Sequence, residues 1–327
     1  MKKKKLGWTD LELTRIGIGT FAIGGPDWHA GWGPQDDNDS IQAIRRGLEL
    51  GVNWMDTAPV YGLGKSEEIV RVALKGVKGK PIIATKCGLI WDDKRNVSHR
   101  LKRESVLREV DASLERLGVN VIDLYQIHWP NPDEDLEEAW SAMSDAVKAG
   151  KVRYIGVSNC NVSQLERLKD IHPIASLQPP YSMILREVEK EILPYCKKHD
   201  IGVIPYSPMQ RGLLTGKYTR ESVRKLDKND HRLREPYFQE PDLGVHLAFV
   251  DRLRPIAEKN GKPLAVLAVA WVLRRPEVTA AIVGARRPSQ IEETAGASDW
   301  MLGQEDIFEI DAIIEEWDKE LKVKREG

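Results

Sequence analysis

The sequence predicts an α/β protein, a (β/α)8 barrel of the TIM type with an N-terminal β-hairpin closing the barrel floor. Short β-branched apolar runs alternate with longer segments of helical period, the pattern of βα units around a parallel sheet. Roughly eight such runs occur, the number that closes a βα barrel. Three successive runs also end in residues suited to proton chemistry: Asp56 and Tyr61, then Lys86, then His128. In a parallel barrel the chemistry gathers at the carboxyl ends of the strands, so this placement supports the same fold.

Taken in order, Leu6 to Leu13 alternates apolar with polar residues and reads as the floor hairpin. Ile16 to Thr20 is the first strand, and Ile41, Ala43, Ile44 and Leu48 then recur at helical spacing. Val52 to Asp56 is the second strand, followed by Ser66-Glu67-Glu68, a cap with early acids that opens a helix. Ile82 to Lys86 is the third strand, with a helix over Ser105 to Leu117. Val121 to His128 is the fourth, with a helix over Leu136 to Ala149. Tyr154 to Val157 and Ala175 to Gln178 are the fifth and sixth strands, with helices over Ser163 to Lys169 and Glu187 to His199. Gly202 to Tyr206 and Ala280 to Val283 complete the set, and Ser289 to Ala295 is helical. Gly118, Gly150 and Gly202 stand just after helices, where a turn is needed. The stretch from Leu213 to about Gly244, rich in charge, Pro and Gly, is long for a connection and predicts a mobile loop over the active face. No Pro- or Ser-rich linker divides the chain, so residues 1–327 are expected to form one barrel domain.

Lys and Arg number 49 against 50 Asp and Glu, a formal net charge of −1. This offers no bulk attraction to nucleic acid or to anionic membranes and points to small-molecule partners. No apolar stretch follows the Lys2 to Lys5 run before Asp10, Glu12 and Arg15, so it reads as a solvated tail. No uninterrupted apolar segment approaches the roughly 20 residues of a membrane span. Cys87, Cys160 and Cys196 show no Cys-x-x-Cys spacing or disulfide framework, as expected for a reducing, cytoplasmic setting. The pattern leaves the oligomeric state open.

A phenol with an ordinary pKa of about 10 is a poor acid at neutral pH, and a nearby ammonium favours the phenolate. Tyr61 beside Lys86 is therefore expected to have a lowered pKa and to donate a proton. Asp56 would keep Lys86 charged by ion pairing, and His128 would orient a substrate oxygen or assist the transfer. Each has a structural alternative when read alone: a turn cap for Asp56, a packing ring for Tyr61, a core histidine for His128. Lys86, directly after apolar residues, resists that reading because burying an unpaired ammonium is costly. At three consecutive strand ends the four read together as a site.

Later strand ends carry a different chemistry. Ser158, Asn159 and Gln178 offer hydroxyl and amide groups that match a carboxamide, and Tyr206 offers a face on which a heteroaromatic ring can stack. Gly284 to Glu293 runs from a glycine turn into a helix start with Arg286 and Arg287, suited to phosphate. Gly212 to Lys217 adds a flexible basic segment able to fold over a pyrophosphate.

These residues resemble the aldo-keto reductase superfamily over essentially the whole chain. The resemblance is carried by Asp56-Thr57-Ala58-x-x-Tyr61-Gly62, Ala84-Thr85-Lys86, Asp123-Leu124-Tyr125-Gln126-Ile127-His128-Trp129-Pro130, Gly150-Lys151-Val152-Arg153-x-Ile155-Gly156-Val157-Ser158-Asn159, Tyr206-Ser207-Pro208 and the Gly284 to Glu293 segment. Gln178-Pro179-Pro180-Tyr181 and Arg211 to Lys217 look most like a bacterial branch of general NADPH-dependent reductases. The resemblance implies NADPH bound in an extended conformation without a Rossmann domain. It implies Tyr61 as general acid, Lys86 and Asp56 tuning its pKa, and His128 placing the carbonyl of an aldehyde or ketone. Ser158, Asn159 and Gln178 would hold the carboxamide, and Tyr206 would stack on the nicotinamide. Ser207, Pro208, Gln210, Gly212, Leu213 and Lys217, together with Gly284, Arg286, Gln290 and Glu293, are implied along the pyrophosphate, adenosine and 2′-phosphate. Thr294 stands where many members have Asn against the adenine.

Ten Trp against four Phe is an uneven use of large aromatics, and Trp28, Trp32, Trp91 and Trp129 all fall in loops after early strands. On the active face Trp28, Trp32, Trp91 and Trp129 would wall an apolar substrate site, with Trp32, Trp91 and Trp129 as the substrate contacts. This predicts carbonyl compounds of apolar or aromatic character; anchoring of the loops is the structural alternative. Two rival readings remain at this level. A metal-dependent barrel hydrolase needs clustered His and carboxylate ligands, which the scattered histidines supply poorly. A nucleotide-sensing module would keep the cofactor but use it for regulation.

Overall fold

The computed structural model describes residues 1–26 and 28–326. Eight parallel strands form one sheet: β1 (Ile16–Gly19), β2 (Trp54–Asp56), β3 (Ile82–Cys87), β4 (Ile122–Ile127), β5 (Val152–Ser158), β6 (Ser176–Gln178), β7 (Gly202–Val203) and β8 (Ala281–Gly284). Each pairs with its successor from β1 to β7, and β8 pairs with β1. The ring closes where Val203 bridges Val278 and the Ile282 amide donates to the Pro205 carbonyl at 2.9 Å. This is the predicted (β/α)8 barrel.

The outer layer comprises α1 (Asp37–Glu49), α2 (Lys65–Leu74), α3 (Arg103–Leu117), α4 (Leu136–Lys148), α5 (Val162–Lys169), α6 (Ile192–Lys198), α7 (Arg220–Arg224), α8 (Asp242–Lys259), α9 (Leu264–Leu273), α10 (Pro288–Ala295) and α11 (Gln304–Glu326). Their ends follow local chemistry. The Asp36 carboxylate accepts the Asp39 amide at 2.9 Å at the start of α1, and Asn161 with Gln164 forms a reciprocal capping box on α5. Gly118 ends α3 at φ +66°, a left-handed conformation that suits a residue without Cβ.

The strand period of two sorts side chains between two cores. Met55, Ile83, Tyr125, Ile127, Ile155 and Val157 point outward into the layer beneath the helices. Trp54, Ala84, Leu124, Ile204, Ala280 and Ile282 point inward and fill the lower barrel. The hairpin of Lys3–Lys5 with Glu12–Thr14 lies below them, and its tip adds Leu6, Leu11 and Leu13 to the same cluster. The interior is therefore a packed floor, and the next inward positions up each strand stand at its roof.

The segment expected as a mobile loop is instead built of short helical turns. It holds 3-10 turns over Gln210–Thr215, His231–Arg234 and Pro236–Phe238 around α7. It is tied down by the buried Arg232–Asp230 pair at 2.5 Å and by Arg234 donating to the His29 carbonyl. Some of the charges that suggested a mobile loop are its internal fastenings.

Gly17 marks how closely the lower barrel is filled, because a Cβ there would lie 2.1 Å from Cε2 of Trp54. Trp54 is held in that position by its indole N–H, which donates to the Thr14 carbonyl at 2.9 Å. Gly17→Ala is expected to lower the unfolding free energy by ~1–3 kcal/mol through overpacking, read from denaturant titrations at unchanged m-value. A loss under about 0.5 kcal/mol, within the usual surface range, would show that this layer has room to spare.

Candidate active site

Above the apolar floor the inward positions turn polar. Asp56 lies two residues beyond Trp54, Lys86 two beyond Ala84, and Gln126 two beyond Leu124, so one alternation puts all three inside. The register sets Lys86 beside Gln126 and Gln178 beside Ser158. Tyr61 enters from the turn after β2, and His128 follows the end of β4 with its amide donating to the Cys87 carbonyl at 3.0 Å.

The Lys86 ammonium is the centre of this layer and is wholly buried. It donates to Asp56 Oδ1 at 2.6 Å, to the Thr57 carbonyl at 2.9 Å and to the Tyr61 hydroxyl oxygen at 3.1 Å. Its three N–H bonds are thereby spent. Because the Tyr61 oxygen accepts from Lys86, the phenol's own proton is left to donate elsewhere. The second Asp56 oxygen accepts from Gln178 Nε2 at 2.8 Å and from Gln126 Nε2 at 3.3 Å. The His128 ring meets Tyr61 edge to face, with centroids 5.6 Å apart at 78°.

Electrostatics correct one expectation. Burial pushes the Tyr61 phenol well above its ordinary pKa, and the Asp56 carboxylate adds to this, so proximity to Lys86 does not yield a phenolate. Burial lowers the Lys86 pKa, opposed chiefly by the Asp56 charge and hydrogen bond. His128 is pushed well below the usual histidine value by burial, with Lys86 and His99 contributing, so it is a neutral imidazole. The cysteines near the site, Cys87 and Cys160, are raised by burial and remain thiols.

These groups open into a cavity of about 420 Å³ lined by Asp56, Tyr61, His128, Ser158, Asn159, Gln178 and Tyr206 at one end. Asn159 is in the left-handed region at φ +63° and bonds on both sides of its amide. It donates to the His128 carbonyl and to Ser158 Oγ, each at 3.0 Å, and accepts from the Tyr206 hydroxyl at 2.9 Å. Ser158 Oγ donates to the Gln178 carbonyl at 2.8 Å. The Gln178 amide oxygen has no protein partner among the described residues, so an acceptor remains beside a flat aromatic ring. That free acceptor suits the amide N–H of a nicotinamide carboxamide. Ser207, Pro208, Gly212 and Lys217 line one wall toward the far end, and Gly284, Arg286, Gln290 and Glu293 the other.

Three sequence-predicted residues are placed differently. Gln210 is buried with its amide oxygen accepting from Ser182 Oγ at 2.9 Å, and Leu213 is fully buried in the outer core, so neither side chain lines the cavity. Both lie in the tight turn after β7, whose left-handed residues direct them into the packing beneath α9 and α8. Trp91 lies on a hairpin (Leu89–Trp91 with Val97–His99) that carries it to Arg116 of α3, whose guanidinium is 5.9 Å from the ring. Trp32 and Trp129 do line the cavity. Three residues were not foreseen: Gln126, Phe21 and Arg232. Gln126 lies two positions before His128, where strand alternation alone points to it. Phe21 packs on Tyr61 with centroids 5.1 Å apart, beside the expected Trp28 ring at 5.9 Å, and Arg232 covers the Trp32 ring at 4.5 Å. Among the described residues no three His, Cys, Asp or Glu side chains converge on a metal position, and no helix is long and apolar enough to cross a membrane.

The aldo/keto reductase family pattern matches residues 15–315. The chain is 40% identical to the aldo-keto reductase YhdN of Bacillus subtilis over 318 residues, 96% of this chain and 94% of that one. It is 33% identical over 320 residues to the NADH-specific methylglyoxal reductase of Escherichia coli, covering 94% of this chain and 96% of that one. Among solved structures, the glycerol dehydrogenase AKR11B4 of Gluconobacter oxydans superposes with a TM-score of 0.87 at 39% identity, over 95% of this chain and 94% of that one. The holo form of the aldo-keto reductase AKR11C1 of Bacillus halodurans gives 0.79 at 26% identity, over 96% of each chain.

The neutral state of His128 has a consequence for stability. An unfolded histidine protonates below a pKa of about 6.5, whereas the folded His128 does not, so the unfolded chain binds more protons as pH falls. Its contribution is present above that pH and lost below it. His128→Gln is expected to flatten the fall in unfolding free energy between about pH 7 and pH 5. Parallel pH slopes for the two proteins would show that the imidazole is not held neutral.

Proposed function

This chain belongs to the aldo/keto reductase family, and from that premise we propose that it reduces aldehydes and ketones to alcohols, reversibly, with NADPH as cofactor and Tyr61 as general acid. The observation that carries this reading is the Lys86 ammonium donating to the Tyr61 oxygen while Asp56 holds it in place.

Ser158, Asn159 and Gln178 would hold the carboxamide, and Tyr206, fixed through its hydroxyl by Asn159, would take the ring on its face. When bound, the reduced nicotinamide supplies the hydride. The protein's part is the proton. Tyr61 stays protonated in the folded chain, as a donor must, and hydrogen-bonds the carbonyl oxygen through the O–H that Lys86 leaves free. As charge builds on that oxygen, the proton passes to it, and the phenolate left behind is met by the ammonium 3.1 Å away. The stabilisation is thus strongest after the proton has moved. Neutral His128 directs a second hydrogen bond at the same oxygen without competing as an acid. Phe21, Trp28, Trp32 and Trp129 form the apolar wall that keeps water from the reacting carbonyl, which suits aldehydes and ketones of apolar or aromatic character.

The far end of the cavity supports NADPH. Arg286 donates to Gln35 Oε1 at 2.5 Å and to the Trp32 and Pro34 carbonyls, Lys217 pairs with Glu293 at 2.6 Å, and Arg287 stands exposed at the start of α10. Three cations against one carboxylate leave a positive surplus suited to a 2′-phosphate. The three cysteines are free and buried, which supports the proposed cytoplasmic setting.

Two measurements test this reading. Tyr61→Phe is expected to lose carbonyl reduction by at least about a hundredfold while still binding NADPH, as read by fluorescence titration; normal turnover would remove Tyr61 from its role. The kcat/KM for NADPH should exceed that for NADH by about tenfold or more, the scale of one charge-assisted contact. Equal values would assign the surplus charge elsewhere, and the relative named as NADH-specific makes that comparison informative.

A further inference from the structure

The space around the reacting carbonyl does not end at Trp129. A second cavity, of about 590 Å³, lies on its other side, and Trp129 is the residue common to both linings. Trp129 is 41% exposed, a large aromatic left at the junction of two spaces.

The second cavity differs from the first in chemistry. Leu89 and Val97, from opposite strands of the hairpin after β3, are its apolar members. His29, Arg95, Asn96, His99 and Asn131 supply the rest, and among the described residues no carboxylate lines it and Arg95 is its one fixed charge. It is exposed, at φ +66°, and its guanidinium has no acidic partner among the described residues. Of the two acids in the same turn, Asp93 is exposed and makes no ion pair with Arg95, and Asp92 is engaged within the turn. One of its oxygens accepts the amides of Lys94 and Asn96 at 2.9 and 2.8 Å, and the other accepts Asn96 Nδ2 at 2.9 Å. The hairpin turn thus engages Asp92 internally and leaves Arg95, a lining residue of the polar cavity, without an ion-pair partner among the described residues. Burial holds His29 and His99 below the ordinary histidine pKa, so they enter as neutral hydrogen-bonding groups. An unpaired guanidinium flanked by imidazoles and amides matches a planar, two-oxygen anion.

We propose that this cavity is a carboxylate-accepting substrate subsite, so that the preferred substrates are aldehydes or ketones bearing a carboxylate across an apolar or aromatic spacer that passes Trp129. The inference rests on the reductase reading and names the substrate class of that site. The carbonyl end keeps the aromatic wall, and the far end gains a charge partner.

The test compares 3-(4-formylphenyl)propanoate with its methyl ester, a pair whose aldehydes are nearly equal in intrinsic reactivity. The acid is expected to have a kcat/KM about tenfold or more above the ester, mainly through KM, the scale of a charge-assisted hydrogen bond. Arg95→Gln should bring the acid-to-ester ratio close to one, and because this is a ratio within one protein it is insensitive to how much of the variant folds. Equal kcat/KM for acid and ester in the parent protein, or a ratio that survives in Arg95→Gln, would overturn the subsite. If neither compound is reduced, the reductase reading fails, and equilibrium binding followed by tryptophan fluorescence still decides the subsite. Acid binding weakened by Arg95→Gln supports it, and binding unchanged by that substitution refutes it.

Discussion

The structure is organised around one ion pair, Lys86 with Asp56, in which both side chains are almost completely removed from water. Such a pair is a poor way to gain stability, because desolvation offsets much of the attraction. It survives here because every remaining lone pair and proton is used: Thr57 and Tyr61 take the other two ammonium protons, and Gln126 and Gln178 take the second carboxylate oxygen. Removing either charged partner alone would strand the other, at a cost of roughly 3–5 kcal/mol. The arrangement is best understood as a fixed cation placed beneath a phenol, with the rest of the barrel holding it dry.

That dryness comes from the floor. Trp54, Leu124, Ile204 and Ile282, with Leu6, Leu11 and Leu13 from the hairpin, fill the space below the ion pair. The outer face of the same strands adds a second support. Thr85, next to Lys86 but pointing outward, donates to Glu67 at 2.7 Å, and Arg116 of α3 holds the other Glu67 oxygen at 2.6 Å. Strand β3 is therefore pinned on both faces at the residue that carries the charge. Gln178 joins the two halves of the proposed site, since its nitrogen bonds Asp56 while its carbonyl takes Ser158.

Much of this was legible in the chain because strand alternation is a simple code. Asp56, Lys86 and His128 each end an apolar run, and the barrel needed only the count of runs to bring them together. Gln126 obeys the same alternation but is uncharged, so nothing in its residue type drew notice. No element was expected between Gly244 and Ala280, yet most of α8 and all of α9 lie there. Every residue of α9 is buried, so it is apolar all round and has no periodicity to read. Cavity-facing side chains in turns were the least legible. Strand alternation says nothing about Gln210 and Leu213, whose direction depends on the left-handed residues around them, or about Trp91, whose direction depends on a hairpin that its short apolar stretch did not announce. The cofactor-facing positions other than Ser158, Asn159, Gln178 and Tyr206 came largely from family resemblance, and most of them do line the cavity.

The central claim is that Lys86 acts through the Tyr61 oxygen and not merely beside it. A double-mutant cycle on kcat for carbonyl reduction, with Lys86→Met and Tyr61→Phe singly and together, tests this directly. If the two form one device, the double variant is no slower than the worse single variant, because each change has already disabled the other. Losses that multiply in the double variant would mean that the two residues act independently, and would contradict the account.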